Sequence, residues 1–141
     1  MQQTLAIIKP DAVQGGKAGA ILAHLEAVGF VARAAKMARL TRAEAETFYA
    51  VHRERPFYVS LVEFMTSGPC VVLVLERDDA VVYLREVIGA TDPVEAVEGT
   101  VRKLYAESKE RNAIHASDSP ETAVREIAYF FSEAELTRLW T

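Results

Sequence analysis

Cys70-Val71-Val72-Leu73-Val74-Leu75 decides how the rest of the chain is read. Six apolar residues in a row, three of them β-branched and the run preceded by the break Ser67-Gly68-Pro69, describe a short strand covered on both faces. Such a strand needs paired neighbours and helices on either side. The sequence flanking it supplies both.

Upstream, Thr4-Leu5-Ala6-Ile7-Ile8 has the same buried character and stops at Pro10. Gly15, Gly16 and Gly19 mark a loop, after which Ile21, Leu25 and Val28 share one helical face and Gly29 ends the helix. A longer strand is expected from about Phe30 to Leu40. Thr41 and Glu44 form a capping box, opening a helix expected to reach about Val51. Phe57, Leu61 and Phe64 outline the next helix. Downstream, Asp79 is a candidate cap for a helix over Ala80 to Ile88, ended by Gly89. Ala90 to about Thr100 reads as loop, with Pro93 and Gly99. A short strand-like step at Ile114-His115-Ala116 leads to Ser119-Pro120, a strong helix start. Ala123, Ile127 and Phe130 are the buried face of that helix, and Ser132 and Glu135 open a last short one. The order β-α-β-α-α-β-α-loop-β-α-α predicts an α+β fold. Its expected form is a ferredoxin-like four-stranded antiparallel sheet (split β-α-β) with an additional helical hairpin and a C-terminal helix. Residues 1–141 read as one domain, since no linker, repeat or low-complexity tract divides them.

Composition narrows the function classes. Half of the residues are hydrophobic and the net charge is -4, which argues against nucleic-acid binding as the main role. No apolar run approaches the ~18 residues of a membrane span. The start, Met1-Gln2-Gln3-Thr4, lacks the basic and small-residue features of a secretory signal. Cys70 is the single cysteine, so an intramolecular disulfide and a cysteine-based metal cluster are excluded. Together these features predict a cytoplasmic protein.

The three histidines differ in context. His24 and His52 sit on helical segments without local partners and read as solvated or packing residues. His115 lies in Arg111-Asn112-Ala113-Ile114-His115-Ala116-Ser117-Asp118-Ser119, beside hydroxyls, a carboxylate and a helix start. Spacing alone leaves two readings open: a reactive imidazole, or a satisfied turn residue next to two caps. Cations elsewhere add weight to the first. Lys9 directly follows a buried strand, where an ammonium is costly unless it meets an anion. Arg85 interrupts an apolar helix, and Thr91 and Arg102 border the loop. Gly15-Gly16-Lys17 does not fit a Walker-type phosphate loop.

An ordered set of segments carries a family resemblance. Lys9-Pro10-Asp11, Tyr49 with Arg55-Pro56-Phe57, Ser67-Gly68-Pro69, Gly89-Ala90-Thr91-Asp92-Pro93, Gly99-Thr100-Val101-Arg102 and Asn112-x-x-His115-x-Ser117-Asp118 closely resemble nucleoside diphosphate kinases of the bacterial type. The likeness runs from about Thr4 to Leu136. It implies ping-pong transfer of a γ-phosphoryl group from a nucleoside triphosphate to a diphosphate, through a phosphohistidine on His115. Glu126 and Ser117 match the groups that orient the imidazole; Lys9 and Tyr49 match contacts to the transferring phosphate. Arg85, Thr91 and Arg102 match ligands of the other phosphates, Asn112 the ribose contact, and Phe57 the stacking partner of the base. Mg²⁺ carried by the nucleotide, with no protein metal cage, is implied as cofactor. A homo-oligomer is implied too, a tetramer or hexamer built from dimers, with residues 90 to 99 near a subunit contact. The ending soon after Trp140 resembles the bacterial group.

The chain departs from the family pattern at two places. Ala116 stands where glycine is usual, and an alanine there would be strained by ~1 kcal/mol if the backbone needed a positive φ. The intact surroundings predict a negative φ. Lys109 stands where an apolar residue usually packs against the base, and its aliphatic stem is expected to take that role. A non-catalytic ligand-sensing domain of the same fold would leave His115, Glu126 and Ser117 unexplained.

Overall fold

The computed structural model describes residues 1–138; Trp140, noted above, lies outside the described residues. The sheet has four strands: β1 (Gln2–Ile8), β2 (Val31–Ala38), β3 (Cys70–Arg77) and β4 (Ile114–Ala116). Their order is β2-β3-β1-β4, and each neighbouring pair is antiparallel. β3 thus separates β1 from β2, and β1 separates β3 from β4. That is the split β-α-β arrangement expected for the ferredoxin-like fold. β1 and β3, the two most continuously apolar segments, occupy the centre because both of their faces are covered.

Alternation along these strands divides the core in two. Leu5 and Ile7 of β1 and Val72 and Val74 of β3 face one side. There they meet α3 (Arg42–Phe48), α4 (Tyr58–Met65) and α7 (Pro120–Phe130). Ala6, Ile8, Leu73 and Leu75 face the other side. Their partners come from α1 (Pro10–Gln14), α2 (Ala18–Ala27), α5 (Ala80–Ile88) and α6 (Val101–Tyr105). α3 and α4 make the expected helical hairpin, and α8 (Glu133–Arg138) is the expected final helix. The predicted capping boxes at Thr41 and Glu44 and at Ser132 and Glu135 both form.

Four local features differ from expectation. Pro10 begins α1 as well as ending a strand, because proline suits the first helical position. The helix after Thr41 stops at Phe48, and a 3₁₀ turn at Ala50–His52 replaces its last turn. Val101–Tyr105 forms the short α6, capped by the Thr100 hydroxyl, where the chain showed no periodicity. Asp79 precedes α5 but does not cap it with its side chain: its φ is 51°. The Gln2 side-chain carbonyl from β1 accepts the Val81 N–H at 2.9 Å instead. Among the described residues, no helix is long and apolar enough to cross a membrane.

Candidate active site

β4 is three residues long and pairs with β1, placing His115 opposite Ile7. Ile114 and Ala116 point into the α2/α5 core, so the pleat turns His115 towards the α3/α7 side. There Phe48 packs edge-on against the imidazole with ring centroids 5.2 Å apart. Glu126 projects from the buried face of α7, between Ala123 and Ile127. Its Oε1 lies 2.9 Å from His115 Nε2 and accepts the Ser117 hydroxyl at 2.7 Å. Burial raises the pKa of Glu126. The bond and charge of His115, the Ser117 hydroxyl and Arg125 outweigh that and hold it below the usual carboxylate value. Glu126 is therefore an ionised acceptor at neutral pH, and Nε2 carries the proton it accepts. In the neutral ring the free lone pair is then that of Nδ1. Ser117 is fully buried behind Glu126 and does not line the cleft beside it.

That cleft has a volume of about 680 Å³. Lys9, Tyr49, Phe57, Arg85, Thr91, Arg102, Asn112, His115 and Glu126 all line it, although they come from all parts of the chain. Lys109 lines it as well. Lys9 caps α1, and its Nζ donates to Asn112 Oδ1 at 2.8 Å. Burial, with the Arg102 charge added, lowers the Lys9 pKa to about 8 against the opposing pull of Asp11 and Glu110. Arg102 donates to three backbone carbonyls: Asn112 at 3.3 Å, Gly89 at 3.0 Å and Ile114 at 2.7 Å. It thus ties the loop before α6 to the segment before His115. Burial and the neighbouring Arg85 lower its pKa to about 10. Arg85 itself reaches the Ala116 carbonyl at 3.4 Å. Gly89 has to be glycine, since a Cβ there would come within 2.6 Å of Thr100 Oγ1 and φ is +88°.

Two expectations gain detail. Asn112 has its amide engaged on both sides, accepting from Lys9 and donating to the Thr91 carbonyl at 3.2 Å. Among the described residues the Tyr49 hydroxyl is buried without a hydrogen-bond partner, and burial raises its pKa. An unsatisfied buried hydroxyl at a cleft wall has a partner to gain when a ligand enters.

Other lining residues escaped the sequence reading. His52 belongs to the cleft wall, with its ring 5.4 Å from Phe57, and does not stand alone as a solvated residue. The 3₁₀ turn brings it there, which a helix continued to Val51 would not reveal. Asp118 lines the cleft and accepts the Thr122 hydroxyl at 2.8 Å. In the sequence it stands beside His115 as a carboxylate or a cap, with no role of its own in the site.

Ala116 shows no strain. Among the described residues, the non-glycine residues with positive φ are Asp79 and Ala113, so Ala116 is an ordinary strand residue. Ala113, two residues before His115, has a φ of 75°. The Ile114 N–H bonds the Asn112 carbonyl at 2.9 Å, closing a γ-turn centred on Ala113.

A ferredoxin-like sheet with a histidine on its short edge strand, facing cations across a cleft, is the framework of a phosphotransferase. Residues 2–136 match the family model described as nucleoside diphosphate kinase. The chain is 56% identical over 138 residues to the nucleoside diphosphate kinase of Chlorobium chlorochromatii, covering 98% of this chain and 99% of that one. Against the Sorangium cellulosum enzyme it is 57% identical over 136 residues, covering 96% and 94%. The crystal structure of the Aquifex aeolicus nucleoside diphosphate kinase superposes with a TM-score of 0.93 at 50% identity, covering 95% of this chain and 97% of that one. A halophilic nucleoside diphosphate kinase from Halobacterium salinarum, solved in complex with CDP, superposes with a TM-score of 0.91 at 39% identity, covering 95% and 90%. The chain belongs to the nucleoside diphosphate kinase family. Its activity is transfer of the γ-phosphoryl group of a nucleoside triphosphate to a nucleoside diphosphate.

Proposed function

We propose that His115 Nδ1 is the nucleophile of this transfer, and that residues 1–141 act as one catalytic domain. The observation that carries the reading is the Glu126 carboxylate at 2.9 Å from Nε2, an acceptor that favours the proton on that nitrogen. Nδ1 attacks the γ-phosphorus; an N–P bond forms as the bond to the bridging oxygen breaks, and the nucleoside diphosphate departs. A terminal phosphate oxygen of a second diphosphate then attacks the phosphohistidine and frees Nδ1. Imidazole needs no separate base for this, and its phosphoramidate remains high in energy, so both half-reactions stay near balance. Charge on the transferring and departing oxygens is stabilised by Lys9, Arg85 and Arg102. Tyr49 and Thr91 add hydroxyls to the phosphate contacts, Asn112 reaches the ribose, and Phe57 stacks on the base. Stacking reads no hydrogen-bonding edge, which suits a site serving several nucleobases.

Mg²⁺ is the cofactor proposed to accompany the nucleotide. Among the described residues there is no group of three or more His, Cys, Asp or Glu able to hold a metal ion. Asp118 is nevertheless a carboxylate on the cleft wall. This donor set fits an ion held mainly by phosphate oxygens, with Asp118 as the protein's contribution. When bound, the ion would neutralise phosphate charge.

The proposed setting is a cytoplasmic homo-oligomer, a tetramer or hexamer built from dimers, with nucleoside di- and triphosphates as partners. The CDP complex of the Halobacterium relative supports diphosphate binding in this fold. Light scattering that returns a stable monomer would reject the assembly. The test of function is formation of dGTP from ATP and dGDP, with His115→Ala as control. Wild-type protein should also take acid-labile, base-stable label from radiolabelled ATP. Equal labelling of His115→Ala would overturn the nucleophile assignment.

A further inference from the structure

Asp11 has no role in the chemistry described so far, yet it is a buried carboxylate beside the site, 7% exposed. Burial raises its pKa, opposed by backbone N–H groups and Lys9. A carboxylate so placed is expensive unless it satisfies something the fold needs. What it satisfies is the Ala113 N–H, which donates to Asp11 Oδ2 at 3.1 Å. The Ala113 carbonyl is held from the same segment, accepting the Lys9 N–H at 2.9 Å. Both backbone groups of Ala113 are therefore clamped by the Lys9-Pro10-Asp11 turn at the end of β1. Ala113 is the residue whose φ of 75° places it in a region alanine avoids, inside a γ-turn of the strained hand. It is fully buried, so water cannot replace the Asp11 contact. Among the described residues, Oδ1 of Asp11 is buried without a hydrogen-bond partner.

We infer that Asp11 is a positioning residue: its bond to the Ala113 amide holds the γ-turn that fixes His115 relative to Glu126. This inference rests on the His115 reading above. Its physical basis is that a strained backbone persists only where its surroundings over-determine it. If Ala113 relaxed to negative φ, β4 would turn at Ile114 and carry the imidazole away from Glu126 Oε1. Lys9 and Asn112, the phosphate and ribose contacts, flank the clamp and would shift with it.

The test is single-turnover phosphorylation by ATP, with ATP affinity read from the concentration dependence, on wild type, Asp11→Ala and Asp11→Asn. Asp11→Ala should lower the limiting rate at least tenfold while acid-labile label still reaches the wild-type stoichiometry at long times. Asp11→Asn keeps a carbonyl oxygen able to accept the Ala113 N–H and should restore the rate to within about threefold of wild type. An Asp11→Ala rate equal to wild type overturns the inference, and so does Asp11→Asn as slow as Asp11→Ala. Should Asp11→Ala not fold, the Asp11→Ala/Ala113→Gly protein carries the test, because glycine holds φ of 75° without strain. It should fold and label at no less than a third of the Ala113→Gly rate; a loss of tenfold or more against that single variant would overturn the inference. Labelling of His115→Ala equal to wild type would mean that the nucleophile reading, and not the clamp, had failed.

Discussion

His115 on β4 and Glu126 on α7 approach to 2.9 Å, and Ser117 donates to the same carboxylate oxygen at 2.7 Å. The strand pleat aims the imidazole at α7, and the helical period aims the carboxylate back. Substituting Glu126→Gln leaves a carbonyl oxygen for the Nε2 proton but removes the charge. The limiting phosphorylation rate should fall by roughly tenfold to a hundredfold, as for partners that orient a histidine through its other ring nitrogen. Rapid-quench labelling measures it, and a rate within twofold of wild type would count against the tautomer assignment.

Glu126 also makes a pH prediction for stability. Its pKa is lowered in the folded state, so its contribution is complete above the unfolded value and is lost as pH falls through the folded one. Urea midpoints measured from pH 6 downwards should drop less steeply through that acid window for Glu126→Gln than for wild type.

Lys9 sets activity against stability. Its pKa of about 8 lies below the ordinary 10.5, so holding it protonated at pH 7 costs on the order of 3 kcal/mol. The unfolded chain binds more protons than the folded one between these values, so this term makes stability rise from about pH 8 to 10.5. Nucleotide affinity of the free enzyme should move the other way, weakening as pH passes about 8 and the ammonium is lost. Lys9→Met should raise thermal stability by about 1–2 kcal/mol, since the Asn112 oxygen loses its donor but no charge remains buried. It should also reduce phosphorylation at least a hundredfold. A destabilised Lys9→Met protein would refute the account.

Ala116 is a strand residue with its carbonyl towards Arg85. Replacing it with glycine should therefore leave turnover within twofold of wild type. The cost should appear in stability, about 0.5–1 kcal/mol from added backbone freedom. A clear gain in turnover for Ala116→Gly would show that alanine constrains the nucleophile.

Phe57 is half-exposed at the mouth of the cleft, with Lys109 among the other lining residues. If it provides an aromatic face, Phe57→Ala should weaken ATP, GTP and CTP alike, by about 1–3 kcal/mol each. Lys109→Val should alter the affinities less than threefold, because the lysine stem already offers an apolar surface. Unequal losses among the three bases for Phe57→Ala would point to edge recognition in place of stacking.

The sequence by itself determined the parts governed by periodicity and caps. The continuous apolar run at Cys70–Leu75 and its partner at Thr4–Ile8 became the central strands because only strands covered on both faces tolerate such runs. Thr41, Ser119 and Ser132 capped the helices they were expected to open, since the capping bonds are local. The ordered motif set named residues that do line one cleft. Tertiary structure decided the features that depend on distant partners. α1 and α6, five residues each, are too short to show a period and form where the fold presents a surface for them. The cap of α5 comes from Gln2, far away in sequence, and His52 reached the cleft through a 3₁₀ turn. Ala116 has the negative φ expected of it, and the strain near the nucleophile lies ahead of it, at Ala113, where Lys9 and Asp11 hold both backbone groups. Dihedral strain of this kind leaves no mark in composition or spacing, because the contacts that sustain it are made only after β1 and β4 have paired.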